Sequence, residues 1–329
     1  MSRMKVREGQ EPQLRPFDMQ RRVVAHKTQE AWDEVPHAGL GVDLDVTAVQ
    51  SLVQRLKSSG GRVAARVTLN SVMLKILAEG LKASPEMNAH VEYDRRTGVG
   101  GVVTFDAIHI AVPLRTAQGR TITPVLQDVG TKSLAELCAA MEDVKRRAEN
   151  TDVELLLRET ALRDTWERLR KGQLGVLRRL YPNLVGKARL GRISRAARER
   201  YRLVSEDDRI TPENLTSATV LVSNVGSALP EVDLKILFME IIPPQTTAIG
   251  LGSVVKRPAV RSNDEGDDIV AVRSILPVTI FIDHRVMDLE HVVGFIKRVV
   301  GLCDEPEPLL RTGVAACGAP GRHGGRAPA

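Results

Sequence analysis

Between Ile275 and Val300 the sequence reads ILPVTIFIDHRVMDLEHVVGFIKRVV, which puts an imidazole and two carboxylates at the mouth of an apolar, β-branched run. An imidazole titrates near neutral pH, so His284 at the end of a buried strand suits a general base. The alternative is a structural histidine bonded to backbone. Asp288, four residues on, either fixes the geometry around the histidine or caps the helix that follows, a position where aspartate is favoured; both roles can coexist. Asp283 and Arg285 flank His284. Strand alternation keeps both from sharing its face, so at least one of them is structural, as in an ion pair. A second candidate is VLVSNVGS, Val220 to Ser227. There an apolar strand ends in Ser223 and Asn224, followed by Gly226, which permits a tight turn. The Ser223 hydroxyl could donate to an oxyanion, or the pair could be turn chemistry alone.

Positioning these groups takes a sheet with helices against it. DMQRRVVAHKTQEAW reads as a helix, GLGVDLDV as an alternating strand, and TAVQSLVQRLKSS as a helix with Thr47 as its N-cap. TLNSVMLKILAEGLKASP is the strongest helix, with Val72, Leu74, Ile76, Leu77 and Leu81 as a buried stripe and Pro85 marking its end. AIHIAVPL and TITPVL read as strands around an RTAQGR turn, and a charged helix runs from Lys132 to about Asn150. ATVLVSN, TTAIGLGSVV and two strands joined by the acidic turn SNDEGDD follow, then a final helix from about Leu289 to Cys303. This alternation predicts an α/β (α+β) fold, a mixed sheet with helices on one face.

The 329 residues, 43% hydrophobic and 27% charged, suffice for a packed core. No apolar run approaches a membrane span, and the polar MSRMKVREGQEPQLRPF leads to the expectation of a cytoplasmic protein. Cys138, Cys303 and Cys317 are scattered and odd in number, which predicts free thiols, and no histidine spacing suggests a metal site. Residues 1–15 and 312–329 read as disordered on composition. Residues 154–204 hold fourteen Lys or Arg against five Asp or Glu, a local excess of +9 beside +6 for the whole chain. This basic stretch, broken at Gly172, Pro182 and Gly191, reads as a helical insert.

DHRVMD resembles the D-H-R-x-x-D-G signature of the catalytic domain of the 2-oxoacid dehydrogenase E2 acyltransferases, a fold similar to chloramphenicol acetyltransferase. PFDMQRRVVAHKT, VPHAGLGVDLDVT, LNSVMLKILAEGLKASPEMNA, the IHIAVPL to SLAEL block, PENLTSATVLVSNVGS and IIPPQTTAIGLGSV resemble further family blocks in family order, over residues 16–311 apart from the insert. The resemblance implies acyl transfer between coenzyme A, as a substrate, and a thiol. His284 would deprotonate the attacking thiol, Ser223 would bond the oxyanion, and Asp288 would hold the geometry by pairing with Arg21. It also implies a homotrimer with the active site between subunits, a lipoyl group supplied in trans, and other 2-oxoacid dehydrogenase subunits as partners. Leu289 stands where the family has glycine, which bears on the pocket's shape and on turnover.

For the insert, a solvated helical hairpin competes with a binding surface. Its apolar residues, arginine-rich flanks, Trp166, Tyr181 and Tyr201 suit an acidic partner protein or an anionic membrane. No recognition motif for nucleic acid is present. A trimeric scaffold that binds a partner through the insert is therefore the alternative to an enzyme.

Overall fold

The computed structural model describes residues 16–60, 66–116, 119–170, 193–229, 231–263 and 265–310. The tails expected to be disordered, 1–15 and 312–329, and the breaks at Gly172, Pro182 and Gly191 lie outside the described residues, as do Cys317 and Tyr181. The order is α1 (Met19–Glu34), β1 (His37–Asp45), α2 (Thr47–Ser58), α3 (Leu69–Leu81), β2 (Ala89–Asp94), β3 (Val99–Thr104), β4 (Ile110–Ala111), β5 (Leu114–Arg115), β6 (Thr121–Ile122), β7 (Val125–Leu126), α4 (Leu134–Glu149) and α5 (Val153–Arg170), then α6 (Arg195–Leu203), α7 (Glu213–Thr216), β8 (Val220–Asn224), β9 (Thr247–Leu251), β10 (Val255–Ser262), β11 (Asp268–Asp283) and α8 (Leu289–Asp304).

The main sheet runs β1-β11-β9-β8-β4-β7, with β10 pairing the outer half of β11. β8 is parallel to both β4 and β9, and the other pairs are antiparallel, so the sheet is mixed. The inner half of β11 is paired on both sides, between β1 and β9, with both faces covered, which explains why ILPVTIFI is apolar but for Thr279 where β1 alternates.

One sheet face carries the main core. Val220, Val222, Ile280 and Ile282 of the strands meet Leu74, Ile76 and Leu77 of α3 and Phe295 and Val299 of α8. A Cβ on Gly80 would lie 2.7 Å from Val299 and 2.8 Å from Phe295, so glycine there lets α3 and α8 close on each other. The other face holds a smaller cluster of Val35, Ile241, Ala248 and Phe281, partly covered by the irregular stretch carrying Ile236 and Met239.

Several local expectations change. Thr47 is not the N-cap of α2. Val46 holds that position, and the Thr47 hydroxyl donates to Asp45 at 2.6 Å while its N–H donates to the same carboxylate at 3.0 Å. AIHIAVPL and TITPVL each split into two-residue strands at Pro113 and Pro124, which lack the N–H a ladder requires. TTAIGLGSVV breaks at Gly252, where the Leu234 carbonyl would lie 2.3 Å from a Cβ. The stripe on α3 widens to a helix buried from Ser71 to Leu81, Lys75 and Glu79 included, with the Lys75 ammonium 3.2 Å from Glu79 and donating to the Gly130 carbonyl. No helix among the described residues is long and apolar enough to cross a membrane.

Candidate active site

β11 ends at Asp283, and the chain turns at once because the Asp283 carbonyl accepts from the N–H groups of both Val286 and Met287. The His284 N–H donates to the Pro36 carbonyl at 2.9 Å, which ties the turn to the start of β1. The imidazole is therefore placed by two strands. Its Nδ1 lies 3.0 Å from the Met287 carbonyl and 3.3 Å from the Asp288 carboxylate. A carbonyl only accepts, so Nδ1 carries a proton, and in the neutral ring the lone pair is on Nε2. The side chain is 54% exposed, and among the described residues Nε2 makes no hydrogen bond.

Asp288 sits at the N-cap position of α8, and its N–H donates to His291 Nδ1 at 3.1 Å. Its carboxylate lies beside His284, and it holds the cap position without a side-chain cap hydrogen bond. Among the described residues of one chain it makes no ion pair with Arg21, which is exposed on α1. Asp283 and Arg285 form the expected ion pair. The Asp283 carboxylate is fully buried and accepts from Arg285 Nε at 3.0 Å and from Nη2 at 2.5 Å. The guanidinium also lies 5.4 Å from the Tyr93 ring centre. Leu289, the first residue of α8, is 57% exposed, so within one chain it fills no space that a glycine would have to leave empty.

Ser223 lies near the end of β8, half-buried, and among the described residues its hydroxyl makes no hydrogen bond. Asn224 holds the turn: its amide nitrogen donates to Asn70 of α3 at 2.8 Å and its oxygen accepts from the Ser227 N–H at 3.0 Å. Gly226 is required by close approach, since a Cβ would lie 2.1 Å from the Gly252 carbonyl oxygen.

The single chain does not bring His284 and Ser223 together. Ser223 aligns with Gly250 of β9, and Gly250 aligns with Thr279 of β11. His284 is five residues further along, roughly 17 Å down the strand and about 10 Å across two strand spacings. The two turns are half-sites about 20 Å apart.

Sequence reasoning did not single out His37, whose register partner is Asp283. Its Nε2 accepts the Ile241 N–H at 2.9 Å, and burial lowers its pKa, so it stays a neutral strut between β1 and the stretch over the second sheet face. The VPH motif was its only signal. Asn70 and Tyr93 were missed as well, because both act across long sequence separations. Cys138 and Cys303 are buried free thiols; burial pushes the first upward and the second up to about 12, which makes neither a nucleophile. Among the described residues no group of three His, Cys, Asp or Glu could hold a metal ion.

A family model described as 2-oxoacid dehydrogenases acyltransferase (catalytic domain) matches residues 9–155 and 184–311. The unmatched stretch, 156–183, lies inside the 154–204 segment read as an insert. The chain is 25% identical over 269 residues to the dihydrolipoyllysine-residue acetyltransferase component of the pyruvate dehydrogenase complex of Mycobacterium tuberculosis, covering 82% of this chain and 37% of that protein. It is also 25% identical over 290 residues to the lipoamide acyltransferase component of the branched-chain alpha-keto acid dehydrogenase complex of Pseudomonas aeruginosa, covering 88% and 51%. The chain thus spans between about a third and a half of the length of these relatives. Among solved structures, the dihydrolipoamide acetyltransferase of Azotobacter vinelandii shares the fold, with a TM-score of 0.63 at 18% identity over 94% of this chain and 98% of that one. A catalytic core of the 2-oxoacid dehydrogenase complex of Thermoplasma acidophilum does so with a TM-score of 0.56 at 19% identity, over 90% and 99%.

Proposed function

The chain belongs to the 2-oxoacid dehydrogenase acyltransferase catalytic-domain family, and from that premise we propose that it moves an acyl group between coenzyme A and a thiol, with His284 as the general base. The observation that carries this reading is the imidazole with Nδ1 against the Met287 carbonyl and Nε2 making no hydrogen bond among the described residues. Nε2 takes the proton from the attacking thiol, and the sulfur adds to the thioester carbonyl. The resulting oxyanion accepts a hydrogen bond from a Ser223 hydroxyl. Collapse expels the other thiol sulfur, which recovers the proton from His284. No covalent enzyme intermediate is needed; positioning, proton transfer and oxyanion stabilisation supply the rate.

Because the half-sites of one chain lie far apart, Ser223 in this proposal comes from a neighbouring copy, and the working unit is a homotrimer. Asp288 and the Asp283–Arg285 pair position His284. The Azotobacter structure is described as addressing the roles of a serine, a histidine and an asparagine in catalysis, the last two four residues apart, as His284 and Asp288 are here. The acceptor is a dihydrolipoyl group on a separate protein, by analogy with the substrates named for the relatives, and the partners are the other subunits of a 2-oxoacid dehydrogenase complex.

Acyl exchange between acetyl-CoA and dihydrolipoamide tests the reading, with CoA protection in a thermal melt as a second measurement. The purified protein is expected to exchange acyl groups, and His284→Ala to lose about 10²–10⁴-fold while retaining CoA protection. Absence of exchange with every acyl-CoA tried, or a His284→Ala variant as active as the parent, sinks it. A trimer without exchange is what the scaffold alternative predicts.

A further inference from the structure

We propose that α5 and α6 enclose a binding site for a soluble phosphate ester, separate from the acyl-transfer site. A pocket of about 570 Å³ lies between these helices, a size ordinary for small ligands. Leu155 and Leu162 of α5 supply an apolar wall, and Arg198 and Arg202, one turn apart on α6, supply charge. Arg209 closes one side, with its guanidinium 4.3 Å from the Tyr201 ring centre.

Among the described residues the charge in this pocket is only partly neutralised. Arg158 pairs with Glu154 at 2.6 Å, and Arg209 pairs with Glu206 at 3.2 Å and with Glu159 at 3.6 Å. Glu199 is taken by Arg195 at 3.3 Å. Arg198 and Arg202 have no carboxylate partner among the described residues. The intervening sequence, 171–192, holds six Lys or Arg and no Asp or Glu, so it has no counter-charge to offer. A second observation is independent of net charge. Arg209 is 7% exposed, and its Nε–H has no acceptor among the described residues, so the side chain that closes the pocket keeps an unmet donor.

The chemistry favours phosphate. Two guanidinium forks without a carboxylate partner among the described residues match a dianion with three acceptor oxygens better than a carboxylate with two. The leucine wall asks for an apolar or aromatic body on the ester. The site differs from the half-sites of acyl transfer in position and in residues, so its test can fail without touching that reading.

Titration calorimetry on the full chain with phenyl phosphate as the probe, and inorganic phosphate and benzoate beside it at matched ionic strength, tests the site. Phenyl phosphate is expected to bind more tightly than either. The exposed pair Arg198→Gln/Arg202→Gln should weaken it tenfold or more while acyl exchange is unchanged, whereas Arg195→Gln/Arg200→Gln, which removes equal charge from the same helix, should not. Equal weakening by both pairs, benzoate binding as tight as phenyl phosphate, or no saturable binding overturns the proposal. So does capture of vesicles containing phosphatidic acid that phenyl phosphate fails to displace, since the surface would then serve a membrane.

Discussion

The turn that carries His284 and the turn that carries Ser223 end two strands of the same sheet, and they are held by different chemistry. The first rests on a fully buried carboxylate gripped by an arginine fork; the second rests on neutral amides, Asn224 on Asn70, and on a glycine pressed against backbone. They also differ in direction. β8 is parallel to β9, and β9 is antiparallel to β11, so the C-terminal ends of β8 and β11 point to opposite edges of the sheet. Within one chain the two half-sites do not meet, and in the proposed reaction the imidazole of one copy works with the hydroxyl of another.

The sharpest way to break this comparison is to split the half-sites between chains. Ser223→Ala alone should lower acyl exchange by about 10²–10³-fold and His284→Ala by as much or more. Co-assembling the two inactive variants should restore a measurable share of parental activity, because some sites then pair an intact His284 with an intact Ser223. Mixtures that remain as inactive as either variant alone would overturn the pairing of His284 and Ser223 across copies.

The two supports are next. Asp283→Asn leaves the Arg285 guanidinium without its carboxylate and should cost about 3 kcal/mol in denaturant unfolding, the low end for a broken buried pair because the arginine keeps some solvent access. Asn224→Ala removes neutral hydrogen bonds and should cost only about 1–2 kcal/mol. Equal losses would show that the charged support is not the stiffer one. The smallest effect is expected at Leu289. Its side chain is exposed, so Leu289→Gly should lower stability by less than about 1 kcal/mol, through helix propensity, and leave acyl exchange within a few-fold. A large gain in exchange would mean that Leu289 obstructs the site in the assembled protein.

Much of this was legible in the sequence. The strand, its mouth and the ion pair around His284 follow from an apolar, β-branched-rich run meeting polar residues, because a strand paired on both sides with both faces covered has little room for alternation. The starts of α3 and α4, read from the helical segments that begin at Thr68 and Lys132, fall within two residues of the observed ones, and the caps Thr68 and Ser133 that fix them use only neighbours three residues apart. The full burial of α3 was hidden, because Lys75 and Glu79 look like a solvated face until the Gly130 carbonyl and their mutual pair are in place. The Arg209 guanidinium was hidden for the same reason: it answers to groups on α5 and α6.

The sequence by itself determined which chemistry is available, since side-chain type and strand-end position fix what His284, Ser223 and Asp288 can do. Only the tertiary structure decided how they are used. The proton on Nδ1 depends on a carbonyl brought round by a turn, the neutral His37 strut depends on Ile241, and the distance from His284 to Ser223 depends on the relative direction of three strands. The first is set within a turn of four residues; hydrogen bonds between distant segments set the other two, and residue order along the chain does not display them.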